Sequence, residues 1–241
     1  MTPAETAGGP RIHAGTAQTT RTGRYAWCGV APASARRLWF ALHGYGQLAE
    51  RFLRPFAEVV PPDTCVIAPE GLSRFYLDMP RADGTHLQRV GATWMTREAR
   101  TDDIADALAW LSVLQRTVLD AVDREGPPPT IGVLAFSQGV ATAMRWLATG
   151  TVRPHACVFW AGAPAPELEA DALRDATQHA TVSLVAGDAD PLISAEARDA
   201  AWQAVRTWAP EARVLRFPGA HQLDTALLAQ CLQELPVPAA P

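Results

Sequence analysis

The chain has 241 residues, of which 48% are hydrophobic and 19% are charged, and this balance is typical of one globular domain with a buried core. Its formal net charge is -4 and its basic residues are scattered, so it lacks the basic patch that nucleic-acid binding requires. All 21 basic residues are arginine, which excludes a P-loop lysine, a kinase strand lysine and a lysine Schiff base, and with them most phosphoryl-transfer mechanisms.

Targeting and membrane segments are not recognisable in the sequence. Residues 1–23 have no apolar core of a signal peptide, and no run approaches about 18 consecutive apolar residues. The four cysteines stand singly, which favours buried free thiols. We therefore expect a cytoplasmic protein without a membrane span. Residues 1–22 are expected to form a flexible tail, 23–235 a single domain, and 236–241 a Pro/Ala tail.

The first two strand-like runs are Tyr25–Val30 and Leu38–Leu42, and the short Ala- and Pro-rich link between them predicts a hairpin at a sheet edge. The second run leads directly into His43-Gly44-Tyr45-Gly46. Glycines around Tyr45 let the backbone aim an amide N–H at an anion, although a plain strand-exit turn is the alternative interpretation. Beside a strand end, His43 is more typical of a structural hydrogen-bonding residue than of a base.

The middle of the chain combines helical patterns with one long irregular stretch. Leu48–Val60 predicts a helix interrupted at Pro55, and Thr64–Ala68 predicts a buried strand. Periodicity then fades from Ser73 to Glu98, and irregular stretches of this length are usually functional or mobile. Arg100–Asp123 predicts a long amphipathic helix.

A strand, a sharp turn and a helix are predicted between Thr130 and Gly150. The apolar run before Ser137 stops at Ser-Gln-Gly and resumes with helical spacing. In a nucleophile elbow the serine has a strained backbone, and the residues two before and two after it must be small, as Ala135 and Gly139 are. The alternative is that Ser137 is only a turn serine or a helix N-cap.

Three further strand runs, at Ala156–Trp160, Val182–Ala186 and Arg213–Phe217, alternate with helical patterns, and a last helix is predicted from about Gln222 to Glu234. This alternation predicts an α/β fold, with a mostly parallel sheet and helices on both faces. Functional groups of such folds collect at the carboxyl ends of the strands. The polar and glycine residues at these ends are His43, Ser137, Gly162, Asp188, Asp190 and His221.

A serine, a carboxylate and a histidine that follow three different strands form a recognisable chemical set. A serine hydroxyl needs a base with a pKa near 7, and that base needs a carboxylate to fix its tautomer. Ser137, Asp188 or Asp190, and His221 occur in the order expected for an α/β-hydrolase. The other histidines have no partner at metal-ligand spacing, so we predict neither a metal nor a cofactor.

Four segments resemble the carboxylesterase/phospholipase branch of the α/β-hydrolases, which includes acyl-protein thioesterases. They are Leu42–Gly46, Ala135–Gly139, Gly187–Ile193 and Gly219–His221, within a resemblance that spans roughly residues 24–235. It implies one α/β-hydrolase catalytic domain. That family carries its aspartate before a Pro-apolar-apolar segment, which implies Asp190 rather than Asp188, and the resemblance implies the amides of Tyr45 and Gln138 as oxyanion donors. Ala135 departs from the usual first glycine.

The predicted substrate is a small ester in an open site. Only one modest helix fits between Trp160 and Val182, so no large lid domain is expected. Four residues of the irregular stretch are expected to wall the site, namely Tyr76, Met79, Trp94 and Met95. For Trp94 and Met95 the sequence leaves open whether they line an acyl pocket or only pack the loop.

The function predicted from the sequence is hydrolysis of carboxylic esters with short to medium acyl chains through an acyl-enzyme. The sequence leaves open whether thioesters and lysophospholipids are also substrates and whether the protein forms a homodimer. One alternative is a non-catalytic ligand-binding protein on the same fold, although such a protein would not need the complete Ser-Asp-His set. A peptidase or a perhydrolase with the same triad is the other alternative, and the sequence does not separate them.

Overall fold

The computed structural model describes residue 12 and residues 14–77, 89–122 and 127–238. Residues 14–22 are exposed and have no regular secondary structure. The strands in the described part of the chain are β1 (Tyr25–Gly29), β2 (Arg37–Leu42), β3 (Thr64–Pro69), β4 (Ser73–Tyr76), β5 (Val90–Thr93), β6 (Thr130–Phe136), β7 (Ala156–Trp160), β8 (Thr181–Gly187) and β9 (Arg213–Phe217). The helices are α1 (Ala49–Phe52), α2 (Arg54–Val59), α3 (Arg100–Asp120), α4 (Gln138–Ala148), α5 (Ala170–Thr177), α6 (Ala195–Arg206) and α7 (Thr225–Gln233).

Seven strands form one sheet in the order β1-β3-β2-β6-β7-β8-β9, and β4 pairs with β5 in a separate two-stranded sheet. Within the large sheet only β1 is antiparallel to its neighbour. The carboxyl ends of the parallel strands therefore lie along one edge. This edge carries the segments that follow β2, β6, β7, β8 and β9.

The sheet is covered by helices on both faces, as the alternation of strands and helices predicts. One layer packs α3, α4, α5 and α6 against side chains such as Phe40, while the other packs α1, α2 and α7 against side chains such as Trp39. Adjacent residues of β2 contribute to opposite layers because successive side chains of a strand point to opposite faces. All six residues of β2 are buried, which is the pattern of a central parallel strand.

The predicted hairpin of the first two strands is wrong. β1 pairs antiparallel with β3, which lies between β1 and β2. The buried β2 uses both of its edges for parallel partners, β3 and β6. β1 alternates exposed and half-buried residues and suits the sheet edge, so its partner is set by the tertiary fold rather than by the adjacent sequence.

The stretch from Ser73 to Glu98 is not irregular throughout, because it contains the antiparallel pair of β4 and β5. Each of these strands has only four residues, too few for a clear alternation in the sequence. Met79, which was predicted to wall the site, lies outside the described residues. The predicted break near Pro55 is confirmed, since α1 ends at Phe52 and Pro55 lies in the first turn of α2.

Residues 161–180, between β7 and β8, contain α5 as their only helix, so no large lid domain is inserted there. The four cysteines are free, with Cys65, Cys157 and Cys231 buried and Cys28 partly exposed. None of the helices in the described residues combines the length and the apolar character needed to cross a bilayer.

Candidate active site

Ser137 occupies the sharp turn between β6 and α4. Its φ of 53° and ψ of -120° are strained values for a residue with a side chain, and strain of this kind is concentrated at functional sites. The turn has no room for larger neighbours, because a Cβ on Gly139 would lie 2.6 Å from the carbonyl oxygen of Leu42. The Ser137 amide donates to the carbonyl of Trp160 over 2.8 Å, which fixes the turn to β7.

A chain of hydrogen bonds joins Ser137, His221 and Asp190, which follow three different strands. Ser137 Oγ lies 2.9 Å from His221 Nε2, and His221 Nδ1 lies 2.7 Å from Asp190 Oδ2. The other carboxylate oxygen of Asp190 accepts the amide N–H of Leu192 over 2.8 Å. The Asp190 side chain is 3% exposed and that of His221 is 14% exposed, so the chain is largely shielded from water.

Asp188, the other carboxylate after β8, has a different partner. Its side chain is 44% exposed and accepts from Arg216 Nε over 2.6 Å. The geometry therefore pairs His221 with Asp190, the residue that the family resemblance implies.

The arrangement has the geometry that proton transfer between these side chains requires. Asp190 accepts the Nδ1 proton of His221, which leaves the Nε2 lone pair directed at the Ser137 hydroxyl. A neutral imidazole held in this way can remove the hydroxyl proton as the oxygen attacks a carbonyl carbon, and the carboxylate can stabilise the imidazolium that forms. These three side chains are therefore suited to nucleophilic catalysis.

The amides of Tyr45 and Gln138 have no hydrogen-bond acceptor among the described residues. Gln138 is the first residue of α4, where amides have no acceptor within the helix. The loop that carries Tyr45 packs directly against the elbow, because a Cβ on Gly44 would lie 3.1 Å from the Cβ of Ser137. Neither amide is therefore occupied within the described residues, and both belong to segments that meet at the elbow.

The loop after β2 is held in place by β5. Gly46 has a φ of +75°, which favours glycine, and its amide donates to the carbonyl of Ala92 over 2.8 Å. In return the Ala92 amide donates to the carbonyl of Gln47 over 3.2 Å, and the Gln47 side chain accepts the Gly44 amide over 2.8 Å. The small hairpin of β4 and β5 thus fixes the position of the Tyr45 amide, a role that the sequence analysis did not detect.

The side chain of Gln138 joins the elbow to the segment that follows β5. Its Oε1 accepts the amide N–H of Trp94 over 3.2 Å, and its Nε2 donates to the carbonyl of Met95 over 3.2 Å. Only the amide of Gln138 could be assigned from the sequence, because a contact between residues 44 positions apart leaves no signal there.

Trp94 is buried, with 3% of its surface exposed. Its indole N–H donates to the carbonyl of His43 over 2.8 Å, and its ring stacks on the His43 ring at 4.8 Å. Of the two interpretations left open by the sequence, these contacts favour packing of the loop over lining of a pocket. Tyr76 is 69% exposed and, like Trp94, is absent from the described lining of the cleft beside Ser137, whereas Met95 belongs to it.

His43 is a structural residue by its contacts. The ring is fully buried, its Nε2 accepts the amide N–H of Gly71 over 3.0 Å, and its Nδ1 donates to the carbonyl of Gly44 over 2.7 Å. Burial lowers the pKa of His43 to about 4, against the smaller raising effects of the Gly44 hydrogen bond and the Glu70 charge. A neutral ring is what these two hydrogen bonds require.

We expect His43 to make folding sensitive to acid. In the unfolded chain a histidine has a pKa near 6.5, so between about pH 6.5 and 4 the unfolded state binds more protons than the folded state. The free energy of unfolding should therefore fall as the pH is lowered through this window, by about 3 kcal/mol. In urea unfolding at a series of pH values, His43→Gln should be less stable at pH 7 but lose less stability towards pH 4.

The control for this measurement is His179→Gln, since His179 is exposed. This variant should keep the pH dependence of the original protein. An equally steep loss of stability in the His43→Gln protein would contradict the assignment.

The cleft beside Ser137 has a volume of about 390 Å³. Its described lining residues are Met95, Arg100, Ser137, Gln138, Ala141, Arg145, residues 161–166, Leu192, Ile193 and His221. A larger cavity of about 540 Å³ lies at the opposite ends of β8 and β9, away from the Ser-His-Asp chain. Within the described residues, no group of three or more His, Cys, Asp and Glu side chains is arranged to hold a metal ion.

Comparison with known proteins identifies the family. A sequence model of the family described as Serine hydrolase (FSH1) matches residues 37–226, a range that includes Ser137, Asp190 and His221. The chain belongs to the serine hydrolase (FSH1) family. No curated protein matches its sequence.

Solved structures share the architecture of this FSH1 family member. Acyl-protein thioesterase 2 of Zea mays is similar with a TM-score of 0.63 and 17% identity, over 88% of this chain and 97% of that one. A carboxylesterase of Mesorhizobium loti is similar with a TM-score of 0.57 and 21% identity, over 88% of this chain and 94% of that one. The carboxylesterase of Bacillus cereus has a TM-score of 0.59 and 16% identity, over 88% of this chain and 92% of that one. At these identities the likeness shows the fold, and the predicted α/β-hydrolase fold is confirmed.

Proposed function

We infer that this FSH1-family serine hydrolase is an esterase that cleaves carboxylic esters through a covalent acyl-enzyme. The observation that supports the inference is the unbroken chain of hydrogen bonds from Ser137 Oγ through His221 to Asp190, beside a cleft of about 390 Å³. A non-catalytic binding protein would have no use for a strained serine aligned with a histidine and a buried carboxylate.

The proposed reaction has two halves. Ser137 Oγ attacks the ester carbonyl while His221 Nε2 takes its proton, and the amides of Tyr45 and Gln138 donate to the oxyanion of the tetrahedral intermediate. His221 then gives the proton to the leaving alcohol, and the acyl group remains on Ser137. In the second half water attacks the acyl carbon while His221 removes its proton. The bond between Ser137 Oγ and the acyl carbon then breaks, His221 returns the proton to Oγ, and the carboxylic acid leaves.

The cleft favours short to medium acyl chains. Its volume of about 390 Å³ lies near the lower end of the range for small-molecule sites. Apolar contacts to Met95, Ala141 and Ile193 should contribute about 0.8 kcal/mol for each methylene that they bury, until the acyl chain reaches the end of the cleft. Since residues 161–180 hold no lid domain, activity should not depend on a lipid interface.

The test uses p-nitrophenyl esters of graded acyl length, with acyl thioesters and a lysophospholipid in the same panel. We expect kcat/KM for the p-nitrophenyl esters to rise with acyl length and then fall before very long chains, without a jump at the critical micelle concentration. A fluorophosphonate should label the protein, and peptide mapping should place the label on Ser137. Absence of both hydrolysis and labelling would show that the protein is not an active serine esterase.

A further inference from the structure

One wall of the cleft is formed by a single face of α4. Ala141 and Arg145 are four residues apart on α4 and share this face, Ser137 precedes the first residue of the helix, and all three line the cleft. The Cα atoms of Ser137 and Arg145 are separated by about 12 Å along the helix. Side chains of a helix lean towards its N-terminus, which brings the Arg145 guanidinium nearer to Ser137.

Arg145 belongs to a cluster with Arg100 and Glu167. Arg145 Nε donates to Glu167 Oε1 over 2.6 Å, and Arg100 Nη2 donates to Glu167 Oε2 over 3.4 Å. Partial burial acts to raise the pKa of Glu167. The overall shift is downward, because Glu167 accepts hydrogen bonds from its own backbone amide and from Arg145 and lies near the charges of Arg145 and Arg100. Glu167 is thus ionised at neutral pH. Two positive charges and one negative charge leave the cluster with one net positive charge.

Two N–H donor groups of the cluster have only a weak hydrogen-bond acceptor. The Nη1 groups of Arg100 and Arg145 both face the thioether sulphur of Met95, at 3.0 Å and 3.8 Å. A thioether is a weak acceptor, whereas a guanidinium forms its strongest hydrogen bonds with an anionic oxygen. The Arg145 side chain is only 5% exposed, so water replaces the missing acceptor poorly. The Met95 side chain is flexible enough to give way to a ligand.

The direction of the substrate follows from the proposed reaction. His221 must protonate the leaving alcohol, so the alcohol part lies on the His221 side of Ser137. The oxyanion is bound by the first amide of α4, that of Gln138. The acyl chain then extends along α4, over Ala141 and towards Arg145.

We propose that the Nη1 groups of Arg100 and Arg145 bind a carboxylate at the far end of the acyl chain, so that the preferred substrates are half-esters of dicarboxylic acids. This inference rests on the proposed esterase function. In the reaction Ser137 Oγ bonds to the ester carbonyl carbon, and the bond to the alkoxide oxygen breaks. The hydroxyl proton passes through His221 to the alcohol. Water then attacks the acyl carbon, its proton passes through His221 back to Ser137 Oγ, and the bond to Oγ breaks as the dicarboxylic acid leaves.

The test compares acidic and neutral substrates of equal length by the release of ethanol. The monoethyl esters of succinate, glutarate, adipate and suberate are matched with ethyl butanoate, pentanoate, hexanoate and octanoate. We expect the ratio of kcat/KM, acidic ester over neutral ester, to be highest at one chain length. Its value there should be about 10 to 100, which is the gain that a charge-assisted hydrogen bond provides. Added salt should lower this ratio, because it screens the attraction.

Two variants should move the ratio in opposite directions. Arg100→Gln removes one positive charge and should lower the ratio about tenfold. Glu167→Gln removes the competing anion and raises the net charge of the cluster, so it should increase the ratio. Both side chains are partly exposed, at 42% and 48%, which makes the substitutions compatible with folding. Arg153→Gln is the control, since Arg153 pairs with Asp175 elsewhere on the surface, and it should leave the ratio unchanged.

Two results would overturn the carboxylate site. One is a ratio of kcat/KM, acidic over neutral, that stays near one at every length. The other is that Arg100→Gln and Glu167→Gln shift this ratio in the same direction or leave it unchanged. Hydrolysis of the neutral esters would still support the proposed function in that case. Failure to cleave any ester and to react with a fluorophosphonate would instead overturn the proposed function itself.

Discussion

Ser137→Ala is expected to lower kcat for ester hydrolysis by roughly 10⁶-fold, the order of magnitude known for loss of a serine nucleophile. The variant lacks only the oxygen that attacks the carbonyl. The backbone at this position has a φ of 53°, and alanine experiences this strain much as serine does, so the fold should be retained. Single-turnover kinetics and circular dichroism of the purified variant measure the two effects.

Covalent labelling gives a second measure of the same substitution. A fluorophosphonate reacts only with an activated hydroxyl, so the Ser137→Ala protein should remain unlabelled. Ser112→Ala is the matched control, because the Ser112 hydroxyl donates to the carbonyl of Leu108 within α3 and has no histidine partner in the described part of the chain. It should be labelled like the original protein. Labelling of the Ser137→Ala protein would show that another residue is the nucleophile.

Local features of this chain could be predicted from the sequence. The elbow is one of them, because an apolar strand, a serine between small residues and a helical pattern follow one another within residues 130–150. The mostly parallel sheet is another, since strands that alternate with helices along the chain pair in parallel. The choice of Asp190 over Asp188 came from the family resemblance, because spacing alone did not distinguish the two carboxylates.

Features that depend on contacts between distant segments could not be predicted. The partner of β1 is an example, since the adjacent strand in the sequence is not its neighbour in the sheet. The support of the Tyr45 loop by β5 is another, because Gly46 and Ala92 are far apart in the chain. For Trp94 the sequence leaves open whether it lines the pocket or packs the loop, and the structure buries its indole against His43. Residue type does not reveal which way a side chain of an irregular segment points.

The contact between Arg100 and Glu167 could not be predicted either, whereas the position of Arg145 could. Arg100 and Glu167 reach the cluster from segments that are 67 residues apart, so the sequence holds no sign of their contact. Arg145, however, follows Ser137 by two intervals of four residues on a helix that was itself predicted. The helical period alone therefore places an arginine on the same face as the candidate nucleophile. Extending the motif along α4 would have found this residue.

Asp190→Asn should lower kcat by about 10⁴-fold, the effect measured for the same change in a well-studied Ser-His-Asp triad. The asparagine amide can still accept the amide N–H of Leu192, so the loop should keep its shape. It cannot supply the negative charge that stabilises the His221 imidazolium. It can also donate to Nδ1, which would place the remaining imidazole proton on Nε2 and block removal of the Ser137 proton.

Asp188→Asn is the matched comparison, since Asp188 lies two residues before Asp190 on the same loop. Asp188 is 44% exposed and its ionic partner is Arg216, and exposed pairs of this kind contribute about 1 kcal/mol or less to stability. This variant should therefore keep kcat within a few-fold of the original value. Steady-state rates with one p-nitrophenyl ester, measured for both variants at equal folded concentration, decide between the two carboxylates. A larger loss of kcat in the Asp188→Asn protein would show that Asp188 orients His221. We expect the opposite, because His221 Nδ1 lies 2.7 Å from Asp190 Oδ2.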